Sequence, residues 1–193
     1  MIFFLRHGET EYNKEGRIQG RLDSPLTQKG RAQARAQGRL LAGLIHGQPV
    51  ALLCSPLARA LTSAELVALE LTPSPTPEPR MNLIEASLGQ WDGLTVAEID
   101  ERAPNFRNQF PEGDWLFNAP MGEQIFEVEA RLRMILMELE GRPEPVKIIV
   151  SHGIVGRVLH LIHTGQPIKP NAHWPQDAVL QLLPNGGFIH HQP

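Results

Sequence analysis

Ile2-Phe3-Phe4-Leu5-Arg6-His7-Gly8-Glu9-Thr10 runs four apolar residues directly into a cation, an imidazole and a glycine. A short apolar run that stops at a polar, glycine-containing turn reads as a buried strand whose carboxyl end opens onto a loop. In an open α/β sheet, ligands bind at such ends. Arg6 offers a planar fork of donors suited to phosphate, His7 a nucleophilic nitrogen, and Gly8 a backbone that a ligand can approach closely. An arginine beside a histidine is also an ordinary surface cation next to a hydrogen-bonded ring. The choice between the two readings turns on what the other strand ends carry.

Three further strand ends carry matching groups. Val50-Ala51-Leu52-Leu53-Cys54 reads as a second buried strand, ending in Ser55-Pro56 and a helix with Pro56 at its first position and Arg59 in its first turn. Exposed backbone N–H groups at such a helix start favour an anion. Lys147-Ile148-Ile149-Val150-Ser151 delivers His152-Gly153 to another helix start, and a short strand over Arg80 to Ile84 delivers Glu85. If these strands are parallel, Arg6, His7, Ser55, Glu85 and His152 emerge on one edge. A carboxylate among cations is either an ion-pair partner or, beside a leaving-group oxygen, a general acid. Neighbouring cations should lower the Glu85 pKa and a bound phosphate should raise it, so the acid form is expected when substrate is present.

The segment from Asn13 to Ser24, with Lys14, Arg17 and Arg21, reads as a loop long enough to cover this edge, its basic residues within reach of a phosphate. Thr27 is the expected N-cap of a helix with Ala36, Leu40, Leu41, Leu44 and Ile45 on one stripe, stopped by Gly47 and Pro49. Thr72 to Pro79 alternates proline with polar residues and reads as an extended connector rather than a domain boundary. Thr95 and Glu98 form a capping box, and Ile125, Val128, Leu132, Ile135 and Leu139 mark a long core-facing helix. Between them, Phe106, Phe110, Leu116 and Phe117 are expected to plug the core flank and Trp115 to line a pocket rim. Ala178 to Leu183 and Phe188 to His191 read as a terminal hairpin, with His190 and His191 lacking a chemical role. His160 and His163 lack a third ligand nearby and read as a partly exposed helix face, not a metal pair.

Composition fits one globular domain over residues 1–193: 41% hydrophobic and 20% charged residues suffice for a sizeable core. A net charge of −3 gives no bulk attraction to nucleic acid or to an anionic membrane, so an anion site must be local. No apolar run reaches a membrane span, and no signal-peptide pattern follows Met1. Cys54 is the only cysteine, which excludes an internal disulfide and a Cys-Cys zinc pair; it reads as a small buried hydrophobe. A cytoplasmic location is the default. Oligomeric state stays open, a homodimer being one option.

Leu5-Arg6-His7-Gly8-Glu9-Thr10 with Asn13, Asp23-Ser24-Pro25-Leu26-Thr27 with Gly30 and Gln33-Ala34, Ser55-Pro56-Leu57-Ala58-Arg59-Ala60 with Thr62, and Ser151-His152-Gly153 together resemble the histidine phosphatase superfamily, also called the phosphoglycerate mutase-like family. The resemblance runs from residue 2 to about residue 160. It implies a three-layer α/β/α sandwich with a mostly parallel central sheet. It also implies that His7 becomes phosphohistidine, that Arg6, Arg59 and His152 hold the phosphoryl oxygens, and that Glu85 is the general acid and base. Asn13, Gln19, Gly20 and Gly153 would bind substrate, and no metal or cofactor is implied.

Departures from the mutase pattern bear on the reaction. Mutases of this family follow the acid with an Arg-x-Tyr stretch and later carry an adjacent arginine pair. Here Glu85 precedes Ala86-Ser87-Leu88, no Arg-Arg pair occurs, and the chain is shorter than a typical mutase. The pattern Glu85-x-x-x-Gly89-x-Trp91-Asp92-Gly93 with Glu98-Ile99 and Pro120-Met121-Gly122-Glu123 is similar instead to the phosphatase branch, which includes broad-specificity and α-ribazole phosphatases. That branch usually has Gly-Gly-Glu-Ser where this chain has Met121-Gly122-Glu123-Gln124. The expectation is a phosphomonoesterase acting on a small phosphate ester, with phosphoglycerate mutase as the alternative. A weakly catalytic regulatory module would be marked by a missing catalytic residue, and His7, Arg6, Arg59, Glu85 and His152 are all present.

Overall fold

The computed structural model describes residues 1–166 and 174–192. In chain order its elements are β1 (Ile2–Arg6), α1 (Glu11–Lys14), α2 (Gln28–Ile45), β2 (Val50–Cys54), α3 (Ala58–Ala68), β3 (Glu78–Pro79), α4 (Val96–Arg102), α5 (Ile125–Glu140), β4 (Val146–Ser151), α6 (Gly153–Thr164), β5 (Val179–Leu182) and β6 (Phe188–His191). Short 3₁₀ turns at Met81–Leu83, Gly89–Trp91, Arg107–Gln109 and Pro111–Asn118 link β3 to α5 around α4.

The strands form one six-stranded sheet in the order β3-β2-β4-β1-β5-β6. β1, β2, β3 and β4 are mutually parallel, and the terminal hairpin adds β5 antiparallel to β1 and β6 antiparallel to β5 at the sheet edge. Side chains alternate across the strands, and both faces are covered. Phe3, Leu5, Leu52, Cys54, Ile148 and Val150 pack on one side with Leu41, Ile45, Ala64 and Val67 of α2 and α3. Phe4, Leu53 and Ile149 pack on the other with Val128, Leu132, Ile135 and Leu139 of α5 and Val155, Val158 and Leu159 of α6. This is the three-layer sandwich with a mostly parallel sheet that the sequence implied, and near-continuous apolar strands are what a sheet covered on both faces requires.

Helix ends follow their sequence signals. The Thr27 side chain accepts the Gly30 N–H at the start of α2, and His46 takes the left-handed conformation (φ 49°) where α2 stops ahead of Gly47. Thr95 and Glu98 cap α4 reciprocally. Phe117 is buried, Phe106 stacks edge-on against Trp91 at 4.7 Å, and Phe110 lies 5.0 Å from Phe106, so the aromatics of this stretch close the core flank.

Two expectations need correction. The third strand is Glu78–Pro79, pairing with Leu53 and Cys54 of β2, and Met81–Leu83 is a 3₁₀ turn. The Arg80 N–H donates to the Cys54 carbonyl and closes the ladder, after which the chain turns inward toward Glu85. The second concerns α3, whose N-cap is Leu57, so Pro56 lies one residue before the cap instead of at the first helical position. The Ala58 and Arg59 N–H groups donate to the Asp23 carboxylate from the preceding loop.

The β1 corner and the start of α2 meet backbone to backbone. A Cβ added at Gly30 would lie 2.0 Å from the Glu9 carbonyl oxygen, and one at Gly8 would lie 2.1 Å from that of Gly30. Backbone cannot move aside as a side-chain tip does. Gly30→Ala is expected to destabilise the fold by about 1–3 kcal/mol or more, read as a lower urea midpoint at unchanged slope, whereas Gly43→Ala, with open space around it, should leave the midpoint unchanged or raise it.

Candidate active site

Backbone hydrogen bonds lace the carboxyl ends of the central strands together: the His7 N–H donates to Ser151 O (2.9 Å) and the Ser55 N–H to Val150 O (3.0 Å). Ser151 Oγ donates to Leu83 O (2.7 Å), tying the turn before Glu85 to the same edge. Above this edge lies a cavity of about 300 Å³ lined by Arg6, His7, Asn13, Gln19, Gly20, Arg59, Glu85 and Gly153, with Trp115, Arg157 and Trp174 farther round. His152 is fully buried beside it, its ring centroid 5.1 Å from that of His7.

His7 Nδ1 lies 2.8 Å from the Gly8 carbonyl oxygen. A carbonyl only accepts, so Nδ1 carries the hydrogen and Nε2 keeps the lone pair. Burial holds the His7 pKa well below the ordinary histidine value, with the Arg59 and Arg6 charges adding to it. The ring is therefore neutral at physiological pH, with a free lone pair on Nε2.

Arg59, 2% exposed, donates from Nη1 to Leu22 O (2.7 Å) and Asp23 Oδ1 (3.2 Å) and from Nη2 to Gly20 O (2.8 Å). Arg6 donates from Nη1 to Trp174 O (2.9 Å). Among the described residues, Arg6 Nε, Arg59 Nε and His152 Nδ1 are buried without a hydrogen-bond partner. Charged donors fixed on one side and unpaired on the other are preorganised for an anion. Ser63 connects the two arginine corners: Gly8 N–H donates to its hydroxyl oxygen (3.1 Å), and that hydroxyl donates to Arg59 O (2.7 Å).

Glu85 Oε1 accepts the Ala86 N–H (2.9 Å) and the Val155 N–H (3.3 Å), and Oε2 accepts the Ile154 N–H (3.3 Å) at the start of α6. Its pKa is raised, because burial outweighs those N–H groups and the charges of Arg59 and Arg6. This corrects the expected direction of the shift: removal from water raises the Glu85 pKa more than the neighbouring cations lower it.

Asn13 is held by α1. Its Oδ1 accepts from Thr10 N–H (3.2 Å) and from Gln176 Nε2 (2.8 Å), which directs the amide NH₂ as the remaining donor. Gly20 (φ 52°) has no room for a Cβ, since the Asp92 carboxylate would lie 1.7 Å away. Of the basic loop residues, Arg17 lines the cavity and Arg21 Nε donates to Glu85 O (3.4 Å), each also held by neighbouring carboxylates. Arg17 binds Glu15, Glu98 and Gly93 O, Arg21 pairs with Glu123, and Lys14 sits on the surface near Glu11. His163 Nε2 is 3.2 Å from Gly187 O and His160 stacks on Phe188 at 5.0 Å, while His190 and His191 lie on edge strand β6. Cys54 is buried and its thiol is pushed up to about 12, mainly by burial. No helix among the described residues is long and apolar enough to cross a membrane.

Sequence reading placed Ser55 on this edge without a role, and gave no role here to Asp23, Ser63, Gln176, Arg157 or Trp174. Asp23 had a usable signal, a carboxylate in a loop that could cap the helix carrying Arg59. Gln176 and Trp174 reach the site from beyond α6 and had none.

A cavity at the carboxyl ends of parallel strands with two histidines, a buried and a half-buried arginine and a carboxylic acid defines an anion-handling enzyme of α/β type. The pattern of the histidine phosphatase superfamily (branch 1) spans residues 2–181, and the chain belongs to that superfamily. The glucosyl-3-phosphoglycerate phosphatase of Mycobacterium tuberculosis (strain CDC 1551 / Oshkosh) is 34% identical over 183 residues, 90% of this chain and 78% of that protein. An Escherichia fergusonii protein named "Probable phosphoglycerate mutase GpmB" is 32% identical over 156 residues, 79% of this chain and 69% of that protein. The solved structure of a mycobacterial glucosyl-3-phosphoglycerate phosphatase with VO3 superposes with a TM-score of 0.77 at 31% identity, over 93% of this chain and 92% of that one.

Proposed function

We propose that this chain is a phosphomonoesterase, one domain over residues 1–193, that hydrolyses a small phosphorylated metabolite through a phosphohistidine at His7. The observation that carries the reading is the placement of His7, Arg6, Arg59 and Glu85 around one cavity, with His7 neutral and Glu85 shifted toward its acid form. His7 Nε2 attacks phosphorus, and the bond to the ester oxygen breaks as Glu85 gives that oxygen its proton. Water then attacks phosphorus as Glu85 takes the water's proton, the bond from phosphorus to His7 Nε2 breaks, and inorganic phosphate leaves. Arg6, Arg59 and His152 stabilise the oxygens that carry charge in both steps. Asn13, Gln19, Gly20 and Gly153 surround the bound ester.

Phosphoglycerate mutase is the second reading, supported by the relative bearing that name. A mutase must keep water from the phosphohistidine and a phosphatase must admit it, and the missing arginine pair favours the phosphatase. The test is a screen of phosphate esters, glucosyl-3-phosphoglycerate and 3-phosphoglycerate among them, with labelled phosphoryl groups and with and without chelator. Label released as inorganic phosphate is the expected result. Label moved to a second hydroxyl would establish the mutase, and no turnover of any ester would overturn both.

A further inference from the structure

Ser55 stands at the end of β2 with its hydroxyl 2.7 Å from His152 Nε2, and both residues are completely buried. The same oxygen accepts the Leu57 N–H at 3.3 Å. A serine hydroxyl has one hydrogen to give. If His152 Nε2 carried a hydrogen, the Ser55 oxygen would accept twice and its own hydrogen would be buried with no acceptor found for it among the described residues. If Ser55 donates to Nε2, the hydroxyl, Nε2 and the Leu57 N–H are all paired, and the imidazole hydrogen must sit on Nδ1. Nδ1 is the buried atom that lacks a partner, on a ring 5.1 Å from His7.

We propose that Ser55 is a positioning residue that holds neutral His152 in the Nδ1–H tautomer, so that His152 presents a hydrogen-bond donor, rather than a lone pair, to the phosphoryl oxygens. The inference rests on the phosphatase reading for its consequence but not for the tautomer itself. Burial, with Arg59, His7, Arg6 and Arg131 adding to it, disfavours a charged ring at His152, so near neutral pH the ring stays neutral and a second proton is taken only in acid. Without Ser55, the tautomer with the lone pair facing a dianion becomes accessible.

Two measurements test this. Imidazole ¹⁵N shifts of the unliganded wild type should give His152 a protonated Nδ1 and an unprotonated Nε2; the reverse assignment overturns the proposal whatever the activity. Ser55→Ala should lower kcat/KM by about 10²-fold, the scale for losing one donor to developing charge. The deficit should shrink as pH falls, because an imidazolium carries hydrogen on both nitrogens. Ser55→Thr, which keeps the hydroxyl, should recover most of the loss. A Ser55→Ala deficit that is the same at every pH, or absent, overturns the proposal. A wild type with the expected ¹⁵N pattern but inert toward every ester would refute the phosphatase reading alone.

Discussion

Replacing His7 with alanine is expected to reduce turnover of phosphate esters by on the order of 10⁴-fold or more, while inorganic phosphate still binds to within about tenfold of wild type. The two halves of that expectation come from different parts of the site. His7 is held neutral by burial and by the Arg59 and Arg6 charges, so it supplies a lone pair and no net charge. Without it, water must displace the leaving group in one step, and the gain from splitting the reaction through a covalent intermediate is lost. Affinity for phosphate depends instead on Arg6, Arg59 and His152, whose buried, partnerless nitrogens remain. The neutral ring turns only the Nε2 lone pair toward the phosphate and contributes at most about one ordinary hydrogen bond, to a protonated phosphate oxygen, roughly 1 kcal/mol, hence the tenfold bound. Steady-state kinetics with phosphate as competitive inhibitor separate the two. Near-normal kcat in His7→Ala would remove His7 as nucleophile. Loss of both kcat and phosphate affinity, with a lowered melting temperature, would mean that the corner had collapsed because Gly8 O lost its donor.

The corners themselves were legible because each is a local event. Ile2–Arg6, Val50–Cys54 and Val146–Ser151 are apolar runs ended by a polar or glycine-bearing turn, and burial on both sheet faces makes such runs nearly continuous. Thr27, Thr95 and Glu98 announced their caps for the same reason. β3 was misplaced because its two residues, one of them a proline without an N–H, are defined by what β2 offers rather than by their own pattern. The anchoring of the site was not legible either. Arg59 is oriented by Gly20 and Leu22 carbonyls and by Asp23, and Arg6 by the Trp174 carbonyl, 168 positions along the chain. Backbone acceptors leave no mark in the residue types that provide them. The sign of the Glu85 shift was hidden in a related way. Neighbouring charges can be counted from motifs, whereas the desolvation that outweighs them depends on how completely α6 and the turn at Leu83 close over the carboxyl group.

That desolvation makes Glu85→Gln the second sharp test. With an ordinary alcohol leaving group the proton from Glu85 is needed as the bond to phosphorus breaks, and kcat should fall by about 10²–10⁴-fold, the usual worth of a positioned general acid. With nitrophenyl phosphate the leaving group departs as a stable anion, and the loss should be far smaller. The pH dependence follows from the raised pKa. A general acid must be protonated, so wild-type turnover of alkyl esters should decline as pH rises through the elevated Glu85 value, and bound phosphate dianion moves that decline higher still. In Glu85→Gln the decline should disappear. The same group leaves a signature in stability, measured without substrate. Folded Glu85 keeps its proton above the pH at which the unfolded carboxyl has lost it, so the folded state binds the excess proton, and its contribution to stability is present at low pH and lost as pH rises through that window. The amide has no proton to lose. It retains the Oε1 contacts to Ala86 and Val155, gives up the one from Ile154 N–H, and should show no such slope between the unfolded carboxylate value and neutrality. Equal losses for alkyl and nitrophenyl esters would exclude the general-acid role. An unchanged stability slope would show instead that Glu85 is already ionised in the folded protein, and the proton for the leaving group would have to come from another donor.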